Sequence, residues 1–288
     1  MVESRKFESR NTSIEAGESD IPFDDRGLAY GDGLFETVLV RDGRALLWEA
    51  HLARLAEGAQ RLGLSLPGRD RLDRLPALAG PGERVLKLIV TRGSGGRGYA
   101  PPDYPETRLR WRFGDFSPRR ERWQAGVDVR LCRLRLAEQP ALAGIKHLNR
   151  LENVLARREW SCASIAEGLL CDQSGRLVEA TAMNLAWRDG DRWYTPGLAH
   201  CGVAGTLRRV LLDEGLLEAV EGITPEALKE TAGVVLFNSV QGVWPVMSLF
   251  DTACHRRLCC HAIDESLRQW QKAAHQHLGH VLPPDTVP

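Results

Sequence analysis

Short apolar runs separated by Asp-Gly turns constrain this chain more than any other feature. In GLFETVLVRDGRALLW (33–48) two apolar runs flank Arg41-Asp42-Gly43, and such a turn between strand-like runs signals a hairpin because both turn residues tolerate positive φ. The pattern returns from Gly168 to Thr195: GLLC, a turn from Asp172 to Gly175, the strand RLVEATAMNLAW, a turn at Asp189-Gly190-Asp191, then RWYTP. That is an antiparallel meander. ERVLKLIVTRG, LRWRFGDF and GVVLFNSV read as further strands, and Val127, Val129 and Leu131 alternate with polar neighbours as a half-buried strand does.

Helical spacing appears between these runs. Leu52, Leu55, Ala59 and Leu62 share one face of HLARLAEGAQRLGL, and Leu148, Leu151 and Leu155 share one face of a helix expected from about His147 to Trp160. GVAGTLRRVLLDEGLL reads as a glycine-bearing turn opening a helix, and ITPEALKE as a short helix begun by Thr224-Pro225. The expected class is α+β with mainly antiparallel sheets and flanking helices. At about 150 residues per domain, 288 residues suggest two: a polar leader (1–21), a small N-terminal domain (22–118), a linker (119–124) and a larger C-terminal domain (125–288).

Several function classes are disfavoured. Lys+Arg and Asp+Glu both number 38, so no net charge favours a nucleic-acid partner. No apolar run approaches the roughly 18–20 residues of a membrane span, and the first twenty residues lack the apolar core of a signal peptide, so a cytoplasmic protein is expected. Seven cysteines, an odd and scattered set, do not suggest a disulfide framework. Cys254-His255 with Cys259-Cys260-His261 lacks the paired spacing of a structural zinc site, so no metal is expected.

Gly93-Ser94-Gly95-Gly96-Arg97-Gly98 satisfies G-x-G-x-x-G after a strand. A dinucleotide fingerprint must then open a helix, yet the chain continues Tyr-Ala-Pro-Pro-Asp-Tyr-Pro, which cannot sustain one. The stretch is either a plain hairpin loop or a substrate loop presenting Arg92, Arg97 and Tyr99, since guanidinium forks recognise carboxylates.

Only five of the cations are lysines: Lys6, Lys87, Lys146, Lys229 and Lys272. Lys146 lies between two kinds of structure, ahead of a helix. With Glu179 in the meander, Gly205-Thr206 opening a helix and Arg54 on the first helix, it completes the set that pyridoxal phosphate requires: a nucleophilic amine, a carboxylate for the pyridine nitrogen and an anion-binding helix start with an arginine. Each member also has an ordinary reading as a surface charge or a turn.

The segments RGLAYGDGLFETVLV (26–40), VTRGSGGRGY (90–99), LAGIKHLNRLENVLARREW (142–160), VEATAMNLAW (178–187) and GVAGTLRR (202–209) resemble, in order, those of the fold-type IV pyridoxal phosphate enzymes. The resemblance spans about residues 22–250 and implies a two-domain fold like that of D-amino-acid aminotransferase. It implies Lys146 as the Schiff-base lysine, Glu179 as the pyridine-nitrogen partner, and Arg54, Gly205, Thr206, Leu207 and Ser239 as phosphate contacts. Thr37 is implied in catalysis, and Arg97, Tyr99 and Arg92 at substrate positions. RGSGGRGY and GIKHLNRLENVLAR look most like the family's lyase branch, which implies conversion of 4-amino-4-deoxychorismate to 4-aminobenzoate and pyruvate, a folate-pathway step. A D-amino-acid or branched-chain aminotransferase on the same fold is the alternative, and a non-catalytic small-molecule or nucleotide-binding protein a remote one. Family members pair as homodimers, and the same is expected here. The leader replaces the usual opening strand, and the tail after residue 250 matches no motif.

Overall fold

The computed structural model describes residues 16–17 and 21–282, and two sheets organise them. β1 (Ala16–Gly17), β2 (Gly33–Arg41), β3 (Arg44–Ala45), β4 (Glu83–Thr91) and β5 (Arg108–Asp115) form the order β1-β5-β4-β2-β3, antiparallel throughout. The Asp42-Gly43 turn has both residues at positive φ, the conformation the hairpin signal demands. Ala16 and Gly17, inside the expected leader, are the edge strand beside β5; the rest of 1–20 lies outside the described residues.

The second sheet contains β6 (Val127–Arg135), β7 (Ile165–Cys171), β8 (Leu177–Ala180), β9 (Asn184–Asp189), β10 (Arg192–Pro196), β11 (Glu218–Val220), β12 (Gly233–Asn238), β13 (Gly242–Phe250) and β14 (Arg257–Cys260). Its order is β11-β10-β9-β12-β13-β6-β7-β8, with β14 on β13. A further β8–β9 pairing turns six of these strands into a closed circuit. The β13–β6, β6–β7 and β10–β11 pairings are parallel and the others antiparallel.

Helices α1 (Arg26–Tyr30), α2 (Trp48–Leu62), α3 (Arg69–Asp73), α4 (Arg120–Ala125), α5 (Leu151–Arg157), α6 (Thr206–Asp213), α7 (Pro225–Leu228) and α8 (Glu265–Gln276) flank the sheets. α2 buries Leu52, Leu55 and Ala59 against Leu34, Val38 and Val40 of β2, as their spacing predicts. The segment read as a linker is mostly α4, whose Trp123 is buried and donates from Nε1 to the Gln241 carbonyl at 2.7 Å. In α7, the Thr224 hydroxyl accepts from the Ala227 N–H.

Two expected elements differ. RLVEATAMNLAW is two strands, because Thr181–Met183 turns the chain and pairs Glu179 with Asn184. The helix expected from His147 starts only at Leu151. Before it, Lys146 and His147 are captured by β2: Phe35 N–H donates to the Lys146 carbonyl at 3.0 Å, and Leu148 N–H to the Gly33 carbonyl at 3.0 Å. Strand contacts thus override local helical periodicity in the segment that carries the lysine. Leu151 and Leu155, on the expected buried face, are exposed.

Candidate active site

The alternation of β2 sorts its side chains by face. Leu34, Glu36, Val38 and Val40 point toward α2, whereas Phe35 and Thr37 line a cavity of about 450 Å³ between the two sheets. Lys146, Glu179, Arg54, Gly205, Thr206 and Ser239 line the same cavity. Residues more than 180 positions apart in sequence therefore meet in one space. Leu207 buries its side chain in the core and can offer the site only its backbone.

Lys146 stands over the Phe35 ring, with Nζ 4.3 Å from the centroid. Burial, with the nearby Arg54 charge, pushes its ammonium down to about 8, against the opposing pull of Glu36 and Glu179. A free amine is therefore accessible near neutral pH, as a nucleophile or proton acceptor requires. Glu179 is 4% exposed, and burial raises its carboxyl pKa. The Val203 N–H, donating to Oε2 at 2.8 Å, and the charges of Arg150 and Lys146 act in the other direction.

The opposite end is built for an anion. No side chain caps α6 at Gly205, so its first-turn N–H groups and the helix dipole remain available to a ligand. A Cβ on Gly205 would lie 1.9 Å from Asn184 Oδ1; only glycine admits Asn184, whose Nδ2 donates to the Val203 carbonyl at 2.9 Å. Arg54 donates Nε and Nη2 to Glu36, at 2.8 and 2.5 Å, and Nη1 to the Ala204 carbonyl at 2.9 Å. Two of the guanidinium N–H groups remain uncommitted. An amine, a buried carboxylate and an anion-ready helix start in one cavity thus fit a phosphorylated pyridine aldehyde.

The loop residues behave differently. Arg92 turns inward, donating to both Asp32 oxygens and to the carbonyls of Leu62 and Gly63 at the end of α2. Arg97 and Tyr99 are exposed and do not line this cavity. Beneath them Arg26 donates to the carbonyls of Gly95, Gly98, Tyr99 and Ala100, so the loop backbone is fastened while its side chains face out.

Sequence reading singled out neither Glu36, His51 nor Arg150. Glu36 is 1% exposed, and Arg54 and His51 outweigh burial to hold its carboxyl at about 2. Arg150 lines the cavity and donates to the carbonyls of Ile145 and His147, the two neighbours of Lys146. Glu167 also lines it, accepting from the Thr181 hydroxyl at 2.5 Å; burial raises its carboxyl pKa. A signal existed for two of them: Glu36 shares the inward phase of Leu34 and Val38, and His51 that of Leu52 and Leu55, where a solvated polar group does not belong.

The profile of the amino-transferase class IV family matches residues 33–249. Among curated proteins the chain is similar to aminodeoxychorismate lyase of Vibrio harveyi, with 34% identity over 239 residues, covering 81% of this chain and 88% of the relative. Among solved structures it is similar to 4-amino-4-deoxychorismate lyase from Pseudomonas aeruginosa, with 42% identity, a TM-score of 0.81 and coverage of 93% of this chain and 100% of that one. A hypothetical aminotransferase from Mycobacterium tuberculosis, solved in its PLP-bound form, shares 25% identity at a TM-score of 0.70, covering 90% and 94% of the two chains.

Proposed function

The chain belongs to the amino-transferase class IV family, and on that premise we propose that it is a pyridoxal-phosphate-dependent lyase that converts 4-amino-4-deoxychorismate to 4-aminobenzoate and pyruvate. The observation that carries the reading is the single cavity shared by Lys146, Glu179, Arg54 and the uncapped start of α6. Similarity to lyases over nearly the whole chain selects this reaction from those the family performs.

Pyridoxal phosphate supplies an aldehyde to take the substrate amine and a ring to accept an electron pair. The chain supplies everything else. Lys146 would hold the cofactor, and its amine Nζ, when free, would take the proton from substrate ring carbon C4. Glu179 would hold a proton on the pyridine nitrogen, which would let the ring accept electrons. The C3–O bond to the enolpyruvyl group breaks, and aromatisation to 4-aminobenzoate drives the step. Lys146 returns its proton to the departing group, which becomes pyruvate, with Thr37 on the same cavity wall as its hydrogen-bond partner. Ser239 and the N–H groups of Thr206 and Leu207 join Arg54 at the phosphate.

Arg97 and Tyr99 belong to the substrate in this reading; exposed and outside the lining of their own cavity, they are assigned to the site of a second copy. A homodimer is supported by the exposed apolar strip of Leu151, Val154 and Leu155 on α5. A cytoplasmic enzyme is part of the same proposal; among the described residues no helix is long and apolar enough to cross a membrane.

The test is incubation with 4-amino-4-deoxychorismate and added cofactor, following both products. Equal release of 4-aminobenzoate and pyruvate is expected. If neither appears while amino acids convert the bound cofactor to its amine form, the protein is an aminotransferase on the same scaffold.

A further inference from the structure

Behind the anion end of the cavity lies a buried set of side chains. Glu36 Oε1 accepts from Arg54 Nε at 2.8 Å, and Oε2 lies 2.5 Å from Arg54 Nη2 and 2.7 Å from His51 Nδ1. His51 Nε2 lies 3.4 Å from the Thr206 hydroxyl on α6. His51, Glu36 and Thr206 are 0%, 1% and 2% exposed, so the set is shielded from bulk solvent. β2 and α2 are tied through this set to the start of α6.

The directions of these bonds follow from elementary rules. An ionised carboxylate only accepts, so His51 Nδ1 carries the proton that faces Glu36. A second proton on His51 would add a cation to a dry space already holding Arg54 and Lys146, and burial lowers the imidazole pKa. Nε2 is then a bare acceptor, and the Thr206 hydroxyl must be its donor. A hydroxyl has one proton to give.

We propose that Glu36 and His51 are positioning residues for the phosphate of the bound cofactor: Glu36 fixes the Arg54 guanidinium, and His51 draws the Thr206 hydroxyl proton away from the anion. The phosphate is consequently held by N–H groups of Arg54 and of the α6 backbone together with Ser239, and not by the Thr206 hydroxyl. This rests on the reading of the cavity as a pyridoxal phosphate site.

The test compares affinities of the apo-protein for pyridoxal phosphate and for pyridoxal, which lacks the phosphate. In Glu36→Gln, affinity for pyridoxal phosphate should fall by about 30-fold or more while that for pyridoxal changes by less than about 3-fold, the signature of a lost charge-assisted anchor. His51→Gln, whose amide can both donate and accept, should retain more of this discrimination than His51→Leu. Thr206→Val, which keeps the backbone N–H, should cost less than about 3-fold, whereas a hydroxyl gripping the phosphate would cost about 10-fold or more. Equal losses for both ligands in Glu36→Gln and His51→Leu would reduce the set to a packing role and overturn the proposal, as would no loss in either. A wild-type protein that binds pyridoxal phosphate no better than pyridoxal would instead remove the cofactor reading beneath it.

Discussion

At the anion end of the cavity, Arg54 is clamped by Glu36 and the Ala204 carbonyl, and Glu36 is shared with His51. The glycine-rich loop is fixed from the opposite side. Its backbone is held by Arg26, with Gly93, Gly95, Gly96 and Gly98 all at positive φ, while Tyr99 is 86% exposed. One region fixes its charged side chains on one another and leaves backbone N–H groups and two Arg54 N–H groups to a ligand; the other fastens its backbone and leaves side chains. The first arrangement suits a cofactor that stays, because preorganised groups bind without reordering. The second suits a substrate that comes and goes.

The sharpest break between the regions comes from Lys146. Lys146→Ala should reduce product release by about 10⁴-fold or more, since nucleophile and base are lost together; activity within tenfold of wild type would remove it from the chemistry. Glu179→Gln should retain cofactor and lower turnover by about 10²–10³-fold, read as kcat under saturating cofactor. The loop should respond in KM. Arg97→Ala is expected to raise KM by about tenfold with cofactor affinity unchanged, whereas Arg92→Met should leave KM near wild type and cost about 2–3 kcal/mol of stability in denaturant unfolding, because its guanidinium secures Asp32 and the end of α2. The finest test uses pH. With Lys146 lowered to about 8, the free amine is the minor form below that pH and dominant above it. Capture of pyridoxal phosphate by apo-protein should quicken by about tenfold per pH unit below 8 and level off above it.

The parts of the site legible in sequence were those with a distinctive string around them: Lys146 before its helix, Glu179 in the meander and Gly205-Thr206 at a helix start. Their supports were hidden because a partner's identity depends on which distant strand lies opposite. Glu36 reads as one charge in an apolar run until α2 brings His51 and Arg54 over it. Arg92 and Arg97 look equivalent in RGSGGRGY, yet Arg92 follows directly on β4 and turns inward to Asp32. The shortened α5 shows the same limit: Leu148, Leu151 and Leu155 have helical spacing, but β2 claims the backbone from Lys146 to Leu148. The hairpins were legible because Asp-Gly turns fix them locally, and the closed circuit of the second sheet was not, because its β8–β9 and β13–β6 pairings are properties of the assembled fold.

The most direct measurement is to reduce the cofactor-loaded protein with borohydride and locate the pyridoxyl group by peptide mass analysis. Only five lysines compete for it. The account predicts a single label, on Lys146; a label on Lys87 or another lysine, or none on a protein with bound cofactor, would contradict it.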